Sequence, residues 1–239
     1  MGYKDIEDIE DAIDDAIYNA VEKGQLEILK YLHELGYKGT EDAIDDDGWT
    51  INCAAKKGNL EILKYLHELG YKGNEMTINY AAENGYKGTE NAIDNAALNG
   101  HLEVIKYLHS IGYRGTENAI DNAALNDHLE VIKYLHSIGY RGTEWAVNFA
   151  VFNDHLEVIK YLHSLGYRGY RGTKSAVNFA VFNDHLEVIK YLHSIGYRGT
   201  ENAITCAAEN GHLEVVKYLH SLGYRGTENA INCAAEFIF

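Results

Sequence analysis

The sequence predicts an all-α fold, an αα-solenoid of stacked helix-turn-helix pairs with short loops and little or no β-structure. The first observation is a repeat, because His101, His128 and His155 are 27 residues apart and the surrounding residues recur with them. The second is that apolar residues follow helical spacing, without the period-2 alternation of a half-buried strand. The third is that the 239-residue chain contains no proline, so glycine must make its turns.

The first helix of each repeat is short and rich in alanine, as in the segment TENAIDNAALN from residue 116. Thr116 is a favourable N-cap, and Glu117 in the first turn interacts favourably with the helix dipole. Ala119, Ile120 and Ala123 lie on one narrow apolar stripe at helical spacing. We therefore expect a helix that packs closely against a neighbour along this stripe.

The second helix reads HLEVIKYLHSI from residue 128, and its apolar residues Leu129, Ile132 and Leu135 follow a three-residue spacing. Asp127 is predicted to cap its N-terminus, and Gly139 to end it in the left-handed conformation. Neither helix is stable alone at about 11 residues. Stacked pairs bury both stripes, which is the reason for predicting a solenoid.

Seven complete helix pairs are predicted from the seven second helices, at 25–35, 59–69, 101–111, 128–138, 155–165, 185–195 and 212–222. Two further first helices, at 77–84 and 228–239, have no second helix after them. After Gly85 the segment HLEVIKYLHSIG is missing, so we expect a bend, a groove or an open apolar face there. This junction is predicted to divide the chain weakly into an acidic N-terminal part, 1–85, and a C-terminal array of 27-residue repeats, 86–239.

The composition excludes several partners and sites. The formal charge is −15, and residues 1–50 contain 15 acidic against 4 basic residues, so we expect neither nucleic acid nor membrane as a partner. No apolar run approaches the ~20 residues of a membrane span, and the acidic N-terminus lacks the features of a signal peptide, which predicts an intracellular protein. Cys53, Cys206 and Cys233 are too few and too scattered for a disulfide framework or a zinc site. We expect no cofactor and no metal.

Two segments resemble ankyrin repeats. In AAENGHLEVVKYL, which begins at Ala207, two alanines and two variable residues are followed by Gly-His and an apolar helix. The second segment, 45–70, carries the ankyrin D-x-x-G-x-T pattern at Asp45, Gly48 and Thr50. The chain thus resembles an ankyrin-repeat protein over nearly its whole length, and its short GYRGTENAID linkers are similar to those of ankyrin-like arrays of protists and large DNA viruses.

The resemblance implies a protein–protein interaction scaffold that binds a partner protein through the first-helix face of the solenoid. It also implies a location in the cytoplasm, inside a host cell or in a virus particle. The alternative function is a structural subunit of a larger assembly such as a virus particle.

Most repeats depart from the ankyrin pattern by being about six residues short. The loss lies where ankyrin repeats place a β-hairpin finger, so we expect tight loops, with 37–50 as the one stretch that could still form a finger. The T-P-L-H signature is also missing, because its histidine position holds Asp121, Asn148 or Thr205. The hydrogen bonds that this histidine makes in ankyrin repeats cannot be assumed here.

By the same resemblance, partner contacts are expected on the first-helix face, where aromatic anchors suit a protein interface. The residues that we predict to contact a partner are Leu98, Leu125, Trp145, Phe152, Ser175, Phe182 and Glu209. The alternative is that bulky residues of two successive repeats pack against one another and fill the space between the repeats. These residues are Trp145, Phe149, Phe152, Phe179 and Phe182.

All twelve histidines belong to the second-helix segments. Those in the last turns, such as His109 and His136, are expected to meet free carbonyl groups, and the competing hypothesis is a ladder of metal ligands across repeats. The sequence contains no phosphate-binding loop, no G-x-S-x-G and no H-E-x-x-H, so we predict that the protein is not an enzyme. The final residues AAEFIF are expected to cap the array or to form an apolar docking tail, unless the chain has been cut there.

Overall fold

A computed structural model of the protein describes residues 3–37, 49–70, 90–167 and 173–226. Within these ranges the chain forms fourteen α-helices and no strand. The helices are α1 (Tyr3–Glu22), α2 (Leu26–Glu34), α3 (Trp49–Lys57), α4 (Leu60–Glu68), α5 (Glu90–Leu98), α6 (Leu102–Ser110), α7 (Asn118–Leu125), α8 (Leu129–Ser137), α9 (Glu144–Phe152), α10 (Leu156–Ser164), α11 (Thr173–Phe182), α12 (Leu186–Ser194), α13 (Ala203–Glu209) and α14 (Leu213–Ser221).

These helices form seven first-and-second helix pairs, which confirms the predicted all-α solenoid class. All seven predicted second helices are present, as the even-numbered helices from α2 to α14. The two predicted unpaired first helices, 77–84 and 228–239, lie outside the described residues. The same holds for almost all of the possible finger at 37–50.

The core of each repeat is built from small residues on the first helix and branched residues on the second. In the repeat of α9 and α10, Ala146 and Ala150 face the core together with Val158, Ile159 and Leu162, and all five are buried. The alanines let the two helices approach closely, and the branched side chains fill the space that remains. This division repeats along the chain because the sequence repeats.

The turn between the two helices of a repeat contains a residue in the left-handed conformation. Gly100 has φ 73°, and Asp127 has φ 60° at the equivalent position. The predicted N-cap role of Asp127 is therefore wrong, because its carboxylate oxygen instead lies 3.9 Å from Nδ1 of His155, in the next repeat. His155 itself occupies the N-cap position of α10 and makes no side-chain cap hydrogen bond.

Second helices end as predicted at a glycine in the left-handed conformation. Gly139 has φ 98°, and its amide donates to the carbonyl of His136 at 3.1 Å. The prediction that last-turn histidine side chains contact free carbonyl groups is wrong for those whose partners the structure shows, such as His163. The guanidinium of Arg141 donates to the carbonyl of His136 at 3.3 Å, while the imidazole of His163 lies 3.2 Å from the hydroxyl of Tyr191 in the next repeat.

The chain divides into two compact units, Met1–Ala123 with Glu130–Arg141 and Ala124–Leu129 with Gly142–Phe239. In the first unit, the first helices α1, α3 and α5 pack in succession and each packs on its own second helix. In the second unit, the first helices α9, α11 and α13 do the same. Each unit is therefore a stack of helix pairs.

In the first unit, the helix pairs on the two sides of residues 71–89 in the sequence stack on each other. The imidazole Nε2 of His101 lies 3.0 Å from the carbonyl of Lys56, and the hydroxyl of Tyr107 lies 3.3 Å from Nδ1 of His67. The same two contacts join successive repeats elsewhere, so the α5–α6 pair stacks on the α3–α4 pair as its next repeat. The alanine pairs of α3 and α5 are fully buried. The bend, groove or open apolar face predicted after Gly85 falls on residues outside the described ranges and stays a prediction.

Candidate functional site

Five aromatic side chains cluster on two successive first helices of the second unit. We call this cluster the aromatic patch; its members are Trp145, Phe149 and Phe152 of α9 and Phe179 and Phe182 of α11. Four of them are about half exposed, from 47% for Phe179 to 55% for Phe182. The patch is thus a large apolar surface open to solvent, which in soluble proteins marks an interaction site more often than a random feature.

The patch points outward because α9 and α11 are apolar on both faces. In α9 the sequence EWAVNFAVF places Ala146, Val147, Ala150 and Val151 in the core. Helical geometry then directs the intervening aromatic residues to the opposite side. The same argument applies to α11, whose sequence TKSAVNFAVF shares the AVNFAVF segment.

Four of the five rings of the patch contact one another in two pairs. Trp145 and Phe149 stack with ring centroids 5.7 Å apart, and Phe152 meets Phe179 edge-on at 6.3 Å. The second contact joins α9 to α11, so part of the apolar surface is used in packing between repeats. Packing accounts for only part of it, because about half of Trp145 and Phe152 remains exposed.

The other predicted contact residues occupy equivalent positions on other first helices. Leu125 ends α7 and is half-buried, and Glu209 ends α13 and is exposed; both belong to the second unit with the patch. Leu98 ends α5 in the first unit and is also half-buried. Ser175 lies in α11, but its side chain is outside the described residues.

Acidic residues occur in the same first helices as the patch, in the next first helix, and in the turns that flank these helices. We call the following exposed carboxylates the acidic rim: Glu144, Asp154, Asp184, Glu201 and Glu209. The only Lys or Arg in the same three segments, 143–155, 173–185 and 200–212, is Lys174. By contrast, each second helix of this unit pairs its glutamate with a lysine, as Glu157 does with Lys160 at 2.6 Å. The first-helix side of the unit is therefore aromatic and acidic.

Sequence reasoning missed a group of polar side chains that join one first helix to the next. The buried carboxylate of Asp94 accepts hydrogen bonds from the amide and the hydroxyl of Thr116, at 2.9 and 2.6 Å. The hydroxyl oxygen of Thr116 in turn accepts from the amide of Asn118, as an N-cap does. Asn178 accepts from the amide of Thr200 at 3.0 Å in the same way. The available signal was an Asp or Asn 22 residues before Thr116 and Thr200.

The tyrosines of the GYRG turns form a second set of bonds between repeats. The hydroxyl of Tyr140 accepts from the amide of Gly115 at 2.7 Å, and that of Tyr167 accepts from the amide of Gly142 at 2.9 Å. Burial raises the pKa of the Tyr140 phenol, which stays a neutral hydroxyl. These tyrosine hydroxyls join the turns of successive repeats.

Histidines at the start of several second helices also join successive repeats. At the start of the second helices, Nε2 of His185 lies 2.9 Å from the carbonyl of Phe152 in the preceding repeat. Burial raises the pKa of the Cys53 and Cys206 thiols, which are both free.

In the part of the chain that the structure describes, no three His, Cys, Asp or Glu side chains are grouped closely enough to hold a metal ion. None of the described helices combines the length and apolar character needed to span a membrane.

Comparisons with known proteins identify the repeat. A family model described as ankyrin repeats (3 copies) matches residues 147–232, and one described as ankyrin repeats (many copies) matches residues 13–67 and 51–109. The crystal structure of the human ASB11 ankyrin repeat domain is similar in fold, with a TM-score of 0.56 and 20% sequence identity. The similarity covers 73% of this chain and 84% of that chain. A search of curated proteins returned no match.

Proposed function

Because the chain belongs to the ankyrin-repeat family, whose repeats generally mediate protein–protein interaction, we propose that it is a scaffold that binds a partner protein through its first-helix face. The observation that supports this proposal is the aromatic patch. Trp and Phe are enriched at the cores of protein interfaces, and Trp is among the residues that contribute most binding energy there. The proposed contact residues are those predicted from the sequence, with Phe149 and Phe179 added because their rings complete the patch.

The stiffness of the patch also suits binding. Phe152 and Phe179 hold each other in an edge-on contact, and their helices pack against one another. Anchors that are already fixed in the free protein lose little conformational freedom on binding. The polar side chains that could serve a reaction, such as His185 and Tyr140, are used instead as hydrogen-bond partners between repeats. We therefore propose a binding protein and not an enzyme.

The finer parts of the proposal come from the sequence. We propose that the chain is of the short-linker type found in protists and large DNA viruses and acts inside a cell or a virus particle. A structural subunit of such a particle is the alternative, and it would be buried on several faces. The aromatic patch occupies one side of the second unit, which favours a single partner.

The test is a double substitution, Phe152→Ala with Phe182→Ala. We expect the melting temperature to change little, because both side chains are about half exposed, and we expect the partner recovered by affinity purification and mass spectrometry to be lost. Tyr31→Ala is the control, since Tyr31 is 61% exposed on second helix α2, away from any first-helix face. A large fall in melting temperature, or a partner retained by the double variant, would contradict the proposal.

A further inference from the structure

We infer that the aromatic patch receives a short amphipathic peptide segment whose apolar anchors are flanked by lysine or arginine. This inference rests on the proposed function and adds the chemistry of the partner. It is drawn from the apolar patch together with the exposed carboxylates of the acidic rim, which belong to the same first-helix segments or to the next one. Glu144 precedes Trp145 directly, and Glu209 holds the position in α13 that Phe152 and Phe182 hold in α9 and α11.

The glutamates of the rim lack the lysine three residues later that pairs with each second-helix glutamate, although Glu201 lines a surface cavity with Arg198 and Arg225. In the second helices, Glu187 and Glu214 meet a lysine three residues later at 2.6 and 2.7 Å. No lysine or arginine stands three or four residues after Glu144, Glu201 or Glu209. The segments 143–155, 173–185 and 200–212 hold five acidic residues and one lysine, so they carry net negative charge, and such a charge favours a cationic partner.

The two aspartates of the rim reinforce this charge. Asp154 and Asp184 keep more than half of their side chains exposed, although each carboxylate lies 3.8 Å from the Nδ1 atom of a histidine. They follow Phe152 and Phe182 by two residues, so negative charge stands at the C-terminal end of each aromatic helix. Lys174 supplies the one opposing charge in the sequence of the three segments.

The same charges disfavour a second copy of the chain as the occupant. Two patches brought face to face would also bring two acidic rims together, and each chain has a formal charge of −15. Like charges at an interface oppose association and suppress wrong partners. A partner with alternating apolar and basic residues meets both features of the surface at once.

The experiment selects binders from a random peptide library displayed on phage, with peptides of about 16 residues, roughly four helical turns. The library is panned on the full chain and, in parallel, on a variant carrying Phe149→Asn, Phe152→Leu, Phe179→Asn and Phe182→Leu. These replacements are the residues that α7 has at the equivalent positions, Asn122 and Leu125, so the repeat fold is kept. Circular dichroism and thermal melting verify that fold.

Peptides enriched on the full chain and not on the variant are expected to carry apolar anchors and net positive charge. For a selected peptide, reversal of the rim by Glu144→Lys, Glu201→Lys and Glu209→Lys should slow association about tenfold or more at low salt. The control is the matched reversal Glu157→Lys, Glu187→Lys and Glu214→Lys on second helices, which changes the total charge equally. That control should leave the association rate much closer to that of the original chain.

Each other outcome overturns a distinct step. Patch-dependent peptides that are neutral or acidic would refute the basic partner and leave the scaffold proposal standing. No patch-dependent peptide at all would refute the patch as a binding surface, and with it the proposed function at this site. A dimer of the full chain in sedimentation that disappears in the patch variant would show that a second copy is the occupant.

Discussion

The two helices of a repeat differ in how far their sequence varies along the chain. The second helices α6, α8, α10 and α12 share the same nine residues, LEVIKYLHS. The first helices of those repeats keep their buried alanines but change at outward positions, from Asn122 and Leu125 in α7 to Phe149 and Phe152 in α9. The array therefore combines a uniform second-helix side with a variable first-helix side.

The contacts between repeats explain this difference. A second helix supplies side chains to both of its neighbours. In α12, the hydroxyl of Tyr191 meets His163 of α10, and the imidazole of His193 meets the hydroxyl of Tyr218 of α14. A substitution there disturbs two interfaces of a stack in which stability depends on nearest neighbours. Outward side chains of the first helices keep much of their surface in solvent, as Phe182 does at 55% exposure, so their substitution disturbs the stack less.

The largest expected effect on stability is that of a substitution in a second helix. Leu162→Ala removes a fully buried side chain from α10 and should lower the free energy of unfolding by about 2–5 kcal/mol. Phe152→Ala, in the first helix of the same repeat, should cost less than about 1 kcal/mol because the ring is half exposed. Urea unfolding followed by circular dichroism measures both. Equal losses in the free energy of unfolding would show that the aromatic patch is part of the core. The two helices of a repeat would then not differ in this respect.

An intermediate effect is expected at the turn that joins repeats. A Cβ at Gly115 would lie 2.5 Å from the carboxylate oxygen of Asp94 and 2.9 Å from Cγ2 of Ile93, so Gly115→Ala should destabilise by about 1–3 kcal/mol. Gly199→Ala is the matched variant at the same position of a later repeat, where the nearest atom is the amide oxygen of Asn178 at 3.0 Å. Thermal melting should therefore show the larger loss for Gly115→Ala. The reverse order would mean that the Asp94 carboxylate does not hold the turn in place.

The smallest expected effect is a pH dependence centred on His193. Burial lowers the pKa of His193 below its ordinary value of 6.5, and the nearby Arg198 guanidinium lowers it further. The imidazole is buried between the hydroxyls of Tyr218 and Tyr224, each 3.3 Å from one ring nitrogen. Because the unfolded chain then takes up a proton more readily, this stability is present above pH 6.5 and is lost as the pH falls through the folded-state pKa.

Thermal melting between neutral and mildly acidic pH measures this loss. His193→Gln cannot titrate in this range, so its melting temperature should fall less over the same interval than that of the original chain. Burial also lowers the pKa values of His109 and His136, so these two residues contribute to the pH dependence of stability in both the original chain and the variant. An unchanged pH profile in the variant would rule out His193 as a contributor.

Identical sequences do not always have identical surroundings, as the last-turn histidines show. His193 makes hydrogen bonds with both ring nitrogens, and it stacks on Tyr218 with ring centroids 5.6 Å apart. His109 ends the identical helix α6, yet its Nδ1 atom is buried without a hydrogen-bond partner. The local sequence specifies the helix, but the neighbouring repeat specifies the partner of its histidine.

The sequence by itself determined the helices and their pairing. The 27-residue period, the apolar spacing and the glycine at each second-helix end act within a few residues, so they can be recognised without knowing the rest of the fold. The same local reasoning failed for Asp127, because its left-handed conformation and its approach to His155 depend on the next repeat.

Only the tertiary structure decided which residues join the repeats and which remain exposed. The bond from Thr116 to Asp94 spans 22 residues, and the bond from Gly115 to Tyr140 spans 25, so no local pattern contains both partners. Helices α3 and α5, which lie before and after residues 71–89 in the sequence, pack against each other, and this pairing also depends on the tertiary structure. Exposure of the aromatic patch has the same origin, because the solvent-facing side of an apolar helix is whatever its neighbours leave uncovered.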